Sequence, residues 1–406
     1  MPDRRLLLGL GAAGLAALLP GAAMAQQRPQ QRPAAQPRTP APPPASPAQT
    51  PIGPLDTLAR HAILVDADTG AVLLEKAADE RMPPASMSKL MTMYVVFERI
   101  REGALRLDQE LPVSERAFRM GGSRMFLELG SRVSVENLAR GVIIQSGNDA
   151  CVVLAEAISG SEERFAELMN QVARRIGLRD STFRNASGWP HPEHRMTARD
   201  LSLLARRLIA DFPEFYRFYS ERSFRWNNIE QANRNPLLGR VPGADGLKTG
   251  STEEAGFGVT ASALRDGRRL ILVVTGLPSM RARAEESERL MEWGFREFEN
   301  VTLFRASDTV EEAPVWLGER PSVPLVGGRN LVLTLPRSWR DRLQVRVAYP
   351  APLPAPVLRG QEVGELLVGG QGVPPMRLPL YAGADVGRLG VLQRIPPVLH
   401  RALFGA

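Results

Sequence analysis

Two short apolar runs, Ala62-Ile63-Leu64-Val65 and Ala71-Val72-Leu73-Leu74-Glu75, flank Asp68-Thr69-Gly70. That pattern predicts a β-hairpin. Next comes Pro83-Pro84-Ala85-Ser86, followed by an apolar periodic run over residues 90–100, which predicts a helix entered after prolines. Residues 133–159 and 161–176 are further helical stretches, the second opened by Ser161 with Glu162 and Glu163 in its first turn. Residues 255–263 and 269–276 are predicted strands, and residues 284–298 form an amphipathic helical pattern. After about residue 300 no long helical period survives. Residues 330–335 and 343–349 have strand lengths, and proline, glycine and short turns separate such runs up to Leu380. An all-β domain is expected there.

The start of the chain is of a different kind. Arg4 and Arg5 precede an apolar run over residues 6–19, and Ala23-Met24-Ala25 is a small-residue cleavage site. Residues 1–25 therefore read as an export signal, through either the general or the twin-arginine route. Residues 26–54 are rich in Pro, Gln and Ala with almost no large apolar residue. Such a stretch buries too little surface to offset its ordering entropy, so a disordered linker is expected. The expected organisation is a catalytic domain over 55–300, a β-rich domain over 301–392, and a tail over 393–406. The tail sets Ile395, Val398, Leu399 and Leu403 beside Arg394, His400 and Arg401. It reads as a basic amphipathic membrane-surface anchor or as a helix packed on the β domain.

Composition narrows the picture modestly. The 406 residues allow two or three domains, and 44% hydrophobic residues can furnish real cores. The net charge of +7 suits a polyanionic neighbour or an ordinary basic surface. One cysteine, Cys151, excludes an intramolecular disulfide and reads as a buried structural residue in a helix. His191 and His194 lie three apart in a proline-containing segment without a thiol partner. Zinc wants three or four ligands, so that segment reads as a surface loop, and no metal or cofactor is expected.

Three short motifs carry the chemistry. In Ser86-Met87-Ser88-Lys89 the first and last residues share one helix face, so a lysine whose pKa is depressed can serve as base to the serine. The prolines place Ser86 at a helix start, where exposed N–H groups help form an oxyanion site. Taken alone, Ser86 also reads as a plain N-cap. Ser146-Gly147-Asn148 sits between two helical segments, with Gly147 allowing a tight turn. Ser146 is suited to relaying a proton, and Asn148 to bonding a substrate amide with both ends of its side chain. In Lys248-Thr249-Gly250, followed by Ser251, the lysine supplies charge, the threonine a hydroxyl, and the glycine close approach to a strand edge. A substrate carboxylate suits that set. All three occur in order within one domain-sized stretch, the signature of β-lactamases and penicillin-binding proteins.

On these motifs, and on Gly122-Ser123, Ala198-Arg199-Asp200 and Trp293-Gly294-Phe295, the chain closely resembles the low-molecular-weight penicillin-binding proteins, serine-type D-Ala-D-Ala carboxypeptidases. The resemblance implies an α/β (α+β) penicillin-binding/β-lactamase-like transpeptidase domain followed by a small all-β, sandwich-like domain. It implies Ser86 as nucleophile, Lys89 as its base and Ser146 as proton relay. Asn148 then orients the peptide, Lys248 and Thr249 face the terminal carboxylate beside Gly250, and Ser251 lends its N–H to the oxyanion hole. Arg283 matches the family arginine that helps bind the carboxylate, in surroundings that depart from the usual pattern. The implied partners are the peptidoglycan stem peptide, β-lactams as covalent inhibitors, and the outer face of the inner membrane, with no nucleic acid; the implied location is the periplasm. The rivals are a D,D-endopeptidase, a β-lactamase, and a non-catalytic peptidoglycan-binding protein. A β-lactamase wants a positioned carboxylate between Ser146 and Lys248, and there the proline loop holds only Glu193.

Overall fold

The computed structural model describes residues 46–404 apart from 307 and 372. The expected export signal, and the linker up to residue 45, lie outside the described residues. The rest of that linker departs from expectation. Ala48 is fully buried and pairs with Leu55, and Gln49 pairs with Glu75, so the strand edge draws the chain into order before residue 55.

The catalytic unit is built on a five-stranded antiparallel sheet, in the order Val72–Lys76, His61–Asp66, Arg268–Leu277, Gly256–Arg265 and Ala244–Thr252. Side chains alternate across a pleated sheet, so each strand feeds two cores. Ile63, Val65, Ile271, Val273 and Leu247 point into a large helical core. Ala62, Leu64, Leu270, Leu272, Val274 and Val259 point to the opposite side, under Leu290, Met291 and Trp293 of the helix Met280–Glu297. This two-sided burial explains why the strands are continuous apolar runs rather than alternating ones.

The helical core gathers Lys89–Arg101, Val135–Ile143, Asn148–Ser159, Glu162–Ile176 and Ala198–Asp211. Ser161 caps the fourth of these, its hydroxyl accepting from Arg164 N, and Gly177 closes it in the left-handed region at φ +90°. The stretch expected to be helical from residue 133 opens instead as the short strand Arg132–Ser134, paired with Glu110–Pro112.

The helix Met280–Glu297 runs directly into the strand Phe298–Phe304, which pairs with Leu331–Pro336. A six-stranded sheet follows, and Ala313, Val323, Leu325, Leu335, Leu366 and Leu380 fill its core. Polar bonds tie this domain to the catalytic sheet. Thr69 and Thr334 hydroxyls lie 2.5 Å apart, and Thr334 donates to Asn300 Oδ1 at 2.7 Å. Arg268 donates to buried Asp66 and to Phe298 O. The tail forms the helix Ile395–Phe404, and Ile395, Val398, Leu399 and Leu403 are all exposed. Its apolar side is therefore not packed on the β domain.

Candidate active site

Pro83 and Pro84 bring the chain into a single 3₁₀ turn, Ala85–Ser88, that continues as the helix Lys89–Arg101. Ala85 is held at φ +48°, a conformation costing an L residue about 1–2 kcal/mol; beyond it Ser86 is half-buried while Lys89 is buried. The spacing does what a helix face requires: Lys89 Nζ lies 2.8 Å from Ser86 Oγ. The same ammonium donates to Asn148 Oδ1 at 2.8 Å and to the Ser187 carbonyl at 2.6 Å. Burial lowers its pKa to about 8; Arg234 pushes further down, while Cys151 and Asp149 push back. A lysine so placed is partly neutral near neutral pH and touches a hydroxyl that it is able to deprotonate.

Ser146 stands in the turn before the helix Asn148–Ser159, itself at φ +60°. Among the described residues its buried hydroxyl has no hydrogen-bond partner, leaving it able to donate and accept within the site. Asn148 differs from expectation. Its carbonyl end accepts from Lys89, and its amide donates to Gly121 O at 2.8 Å. One amide proton at most remains for a substrate, because the side chain is already committed to holding Lys89. Asp149 anchors the facing loop, accepting from the N–H groups of Met125 and Leu127. Cys151 is buried as expected, and burial pushes its thiol up to about 12.

The third motif lies on the edge strand Ala244–Thr252. Gly250 packs on the Ser86 turn so closely that a Cβ would stand 3.0 Å from Ser86 N, Met87 N and Pro84 O. Only glycine fits without displacing backbone, which joins the strand edge to the start of the helix Lys89–Arg101. Lys248 and Thr249 are buried and Ser251 is exposed at the same edge. The strand is held at its other end by Asp245, which takes two 2.8 Å bonds from Arg269 and one from Tyr216.

The site also contains a residue that the motifs do not mark. Arg234, in the loop after the hairpin strand Ile229–Ala232, donates to Ser123 Oγ at 2.6 Å. Burial depresses the pKa of Lys248, and Lys89 and Arg234 depress it further. Burial, then Arg234, brings Arg283 down to about 10. Among the described residues, Lys248, Arg234 and Arg283 have no carboxylate partner, and Arg283 Nε is buried without any. Lys248 and Arg283 are buried and Arg234 is exposed within Coulomb range of both, and such mutually repelling cations favour an anion. No short motif surrounds Arg234; an arginine between two asparagines was the only signal.

The loop carrying His191 and His194 lies at the surface over residues 189–193, as expected, but its last residue departs from that reading. His191 is exposed, but His194 is buried and bonds Ser88 Oγ at 2.7 Å. The apolar surroundings and the Ser88 hydroxyl draw it inward. Glu193 lies in a surface ion pair with Arg184.

An activatable serine, a buried lysine touching it, and a cationic strand edge define a serine acyl-transfer enzyme whose ligand carries a carboxylate. The family model "D-alanyl-D-alanine carboxypeptidase" matches residues 47–279, and "Penicillin-binding protein 5, C-terminal domain" matches residues 298–388. D-alanyl-D-alanine carboxypeptidase DacC of Escherichia coli is 40% identical over 345 residues, covering 83% of this chain and 86% of that protein. Penicillin-binding protein 5 of Haemophilus influenzae superposes with a TM-score of 0.78 at 36% identity, over 82% of this chain and 99% of that one. Penicillin-binding protein D2 of Listeria monocytogenes, solved in an ampicillin-bound form, gives 0.55 at 32% identity over 59% and 98%. The chain belongs to the D-alanyl-D-alanine carboxypeptidase family, and its function is that of a serine DD-carboxypeptidase.

Proposed function

We propose that the protein removes the terminal D-alanine from peptidoglycan stem pentapeptides through an acyl-enzyme on Ser86, and that penicillins trap the same intermediate. The observation that carries this reading is the contact of buried Lys89 Nζ with the Oγ of half-buried Ser86. Neutral Lys89 takes the Ser86 proton as Oγ attacks the carbonyl between the two D-alanines. The oxyanion faces the N–H groups of Ser86 and Ser251. Ser146 passes the proton to the departing amine, and the C–N bond breaks. Lys248, Thr249, Arg234 and Arg283 hold the terminal carboxylate, and Asn148 fixes Lys89. Water then adds its hydroxyl to the acyl carbon and returns a proton to Ser86. The test is labelling with fluorescent penicillin, followed by D-alanine release from a pentapeptide, for wild type and Ser86→Ala. Label and release by wild type alone are expected. No wild-type label sinks the acyl-enzyme, and label without release favours an endopeptidase.

The assigned setting is the periplasm, with the export signal removed and the tail resting on the inner membrane's outer face. The exposed apolar residues of the helix Ile395–Phe404 support this. Among the described residues no helix is long and apolar enough to cross a membrane. Deleting residues 395–406 should release the protein from membrane fractions while D-alanine release in solution stays within about twofold. Unchanged fractionation would refute the anchor.

A further inference from the structure

The loop 185–194 reaches the active site through one backbone oxygen. The Ser187 carbonyl makes the shortest of the Lys89 contacts, 2.6 Å. Asn185 shapes the loop tip, its Oδ1 accepting from Ser187, Gly188 and Trp189 N–H groups. Ala186 is pinned on both sides, its N–H donating to Glu162 and its carbonyl accepting from Thr92. The loop lies against the nucleophile's turn so tightly that a Cβ on Gly188 would stand 2.0 Å from Ala85 O. At the other end sits His194, 2% exposed and edge-on to Phe183. Arg184 N–H donates to its Nδ1 at 3.3 Å, which leaves the proton on Nε2. Nε2 therefore donates to Ser88 Oγ at 2.7 Å, within the Ser86–Lys89 motif itself.

We infer that His194 is a positioning residue for acylation: its bond to Ser88 clamps the loop 185–194 onto the nucleophile's turn and keeps the Ser187 carbonyl on Lys89. This rests on the proposed roles of Ser86 and Lys89. The clamp acts as a neutral group. Burial, with His191, Lys89, Arg184 and Arg195 around it, holds the imidazole down to about 3, so it does not titrate in the working range. The groups facing Lys89 are Cys151, Asp149, Arg234 and Lys248, together with His194 itself, which is neutral and so adds no charge. A carbonyl accepting from an ammonium favours the charged form. Releasing the loop therefore lowers the Lys89 pKa further while the base loses its fixed geometry.

The experiment measures second-order acylation by fluorescent penicillin from pH 6 to 10, beside thermal midpoints, for His194→Leu, His194→Gln and Ser88→Ala. Ser88→Ala removes only a hydroxyl and guards against misfolding of the histidine variants. His194→Leu and Ser88→Ala should each lose roughly tenfold, the scale of a small misplacement of a reacting group. Their acidic limbs should move to lower pH. His194→Gln, which keeps a donor, should stay within about threefold, and the double variant should be no worse than either single, as for one shared contact. Wild-type rates and limbs in His194→Leu and Ser88→Ala overturn the inference, as does a limb displaced upward. A wild-type protein that never labels overturns both this inference and the proposed function.

Discussion

Lys89→Met is expected to slow acylation of Ser86 by roughly 10²–10⁴-fold, the range a positioned general base contributes. In the wild type, the base must be neutral to accept the Ser86 proton. With a pKa of about 8, acylation should rise through that pH and flatten above it. The methionine variant has no such base, so its residual rate should be flat across pH 7–9. The buried oxygens of Ser187 and Asn148 lose a donor in that variant, so a lower thermal midpoint is expected as well. Stopped-flow labelling across pH is the measurement, and a wild-type limb well below pH 7 would remove Lys89 as the titrating base.

Arg234→Ala should give the second large effect. A charge-assisted bond to a carboxylate contributes about 1.5–3 kcal/mol, so kcat/KM for a pentapeptide should fall roughly 10–100-fold. A C-terminally amidated peptide, lacking the carboxylate, should show little further loss. The sign of a second change is also determined: Arg234 helps depress the Lys89 pKa, so its removal should move the acidic limb to higher pH. Equal losses on acid and amide substrates, with an unmoved limb, would assign Arg234 a structural role only.

Much of the catalytic sheet was legible because burial on both faces turns its strands into apolar runs, as in Leu270 to Val274. Ser86 and Lys89 were legible because a helix converts a spacing of three into contact. Residues 46–54 were misjudged because their order comes from backbone pairing to a distant strand, which composition does not record. His194 misled for a related reason. Its partner Ser88 is 106 positions away, and proline-rich surroundings suggest surface when the fold supplies a buried hydroxyl.

The sequence by itself therefore determined the pairing of Ser86 with Lys89, the order of the three motifs and the two-part architecture, because local period and short motifs depend on neighbours along the chain. Tertiary structure alone decided that Asn148 bonds Lys89, that Arg234 joins Lys248 and Arg283, and that Gly250 abuts the Ser86 turn. Those facts depend on which surfaces the sheet and helices bring within hydrogen-bonding or Coulomb range, and residues as far apart along the chain as Ser86 and Gly250 carry no mark of it in their local pattern.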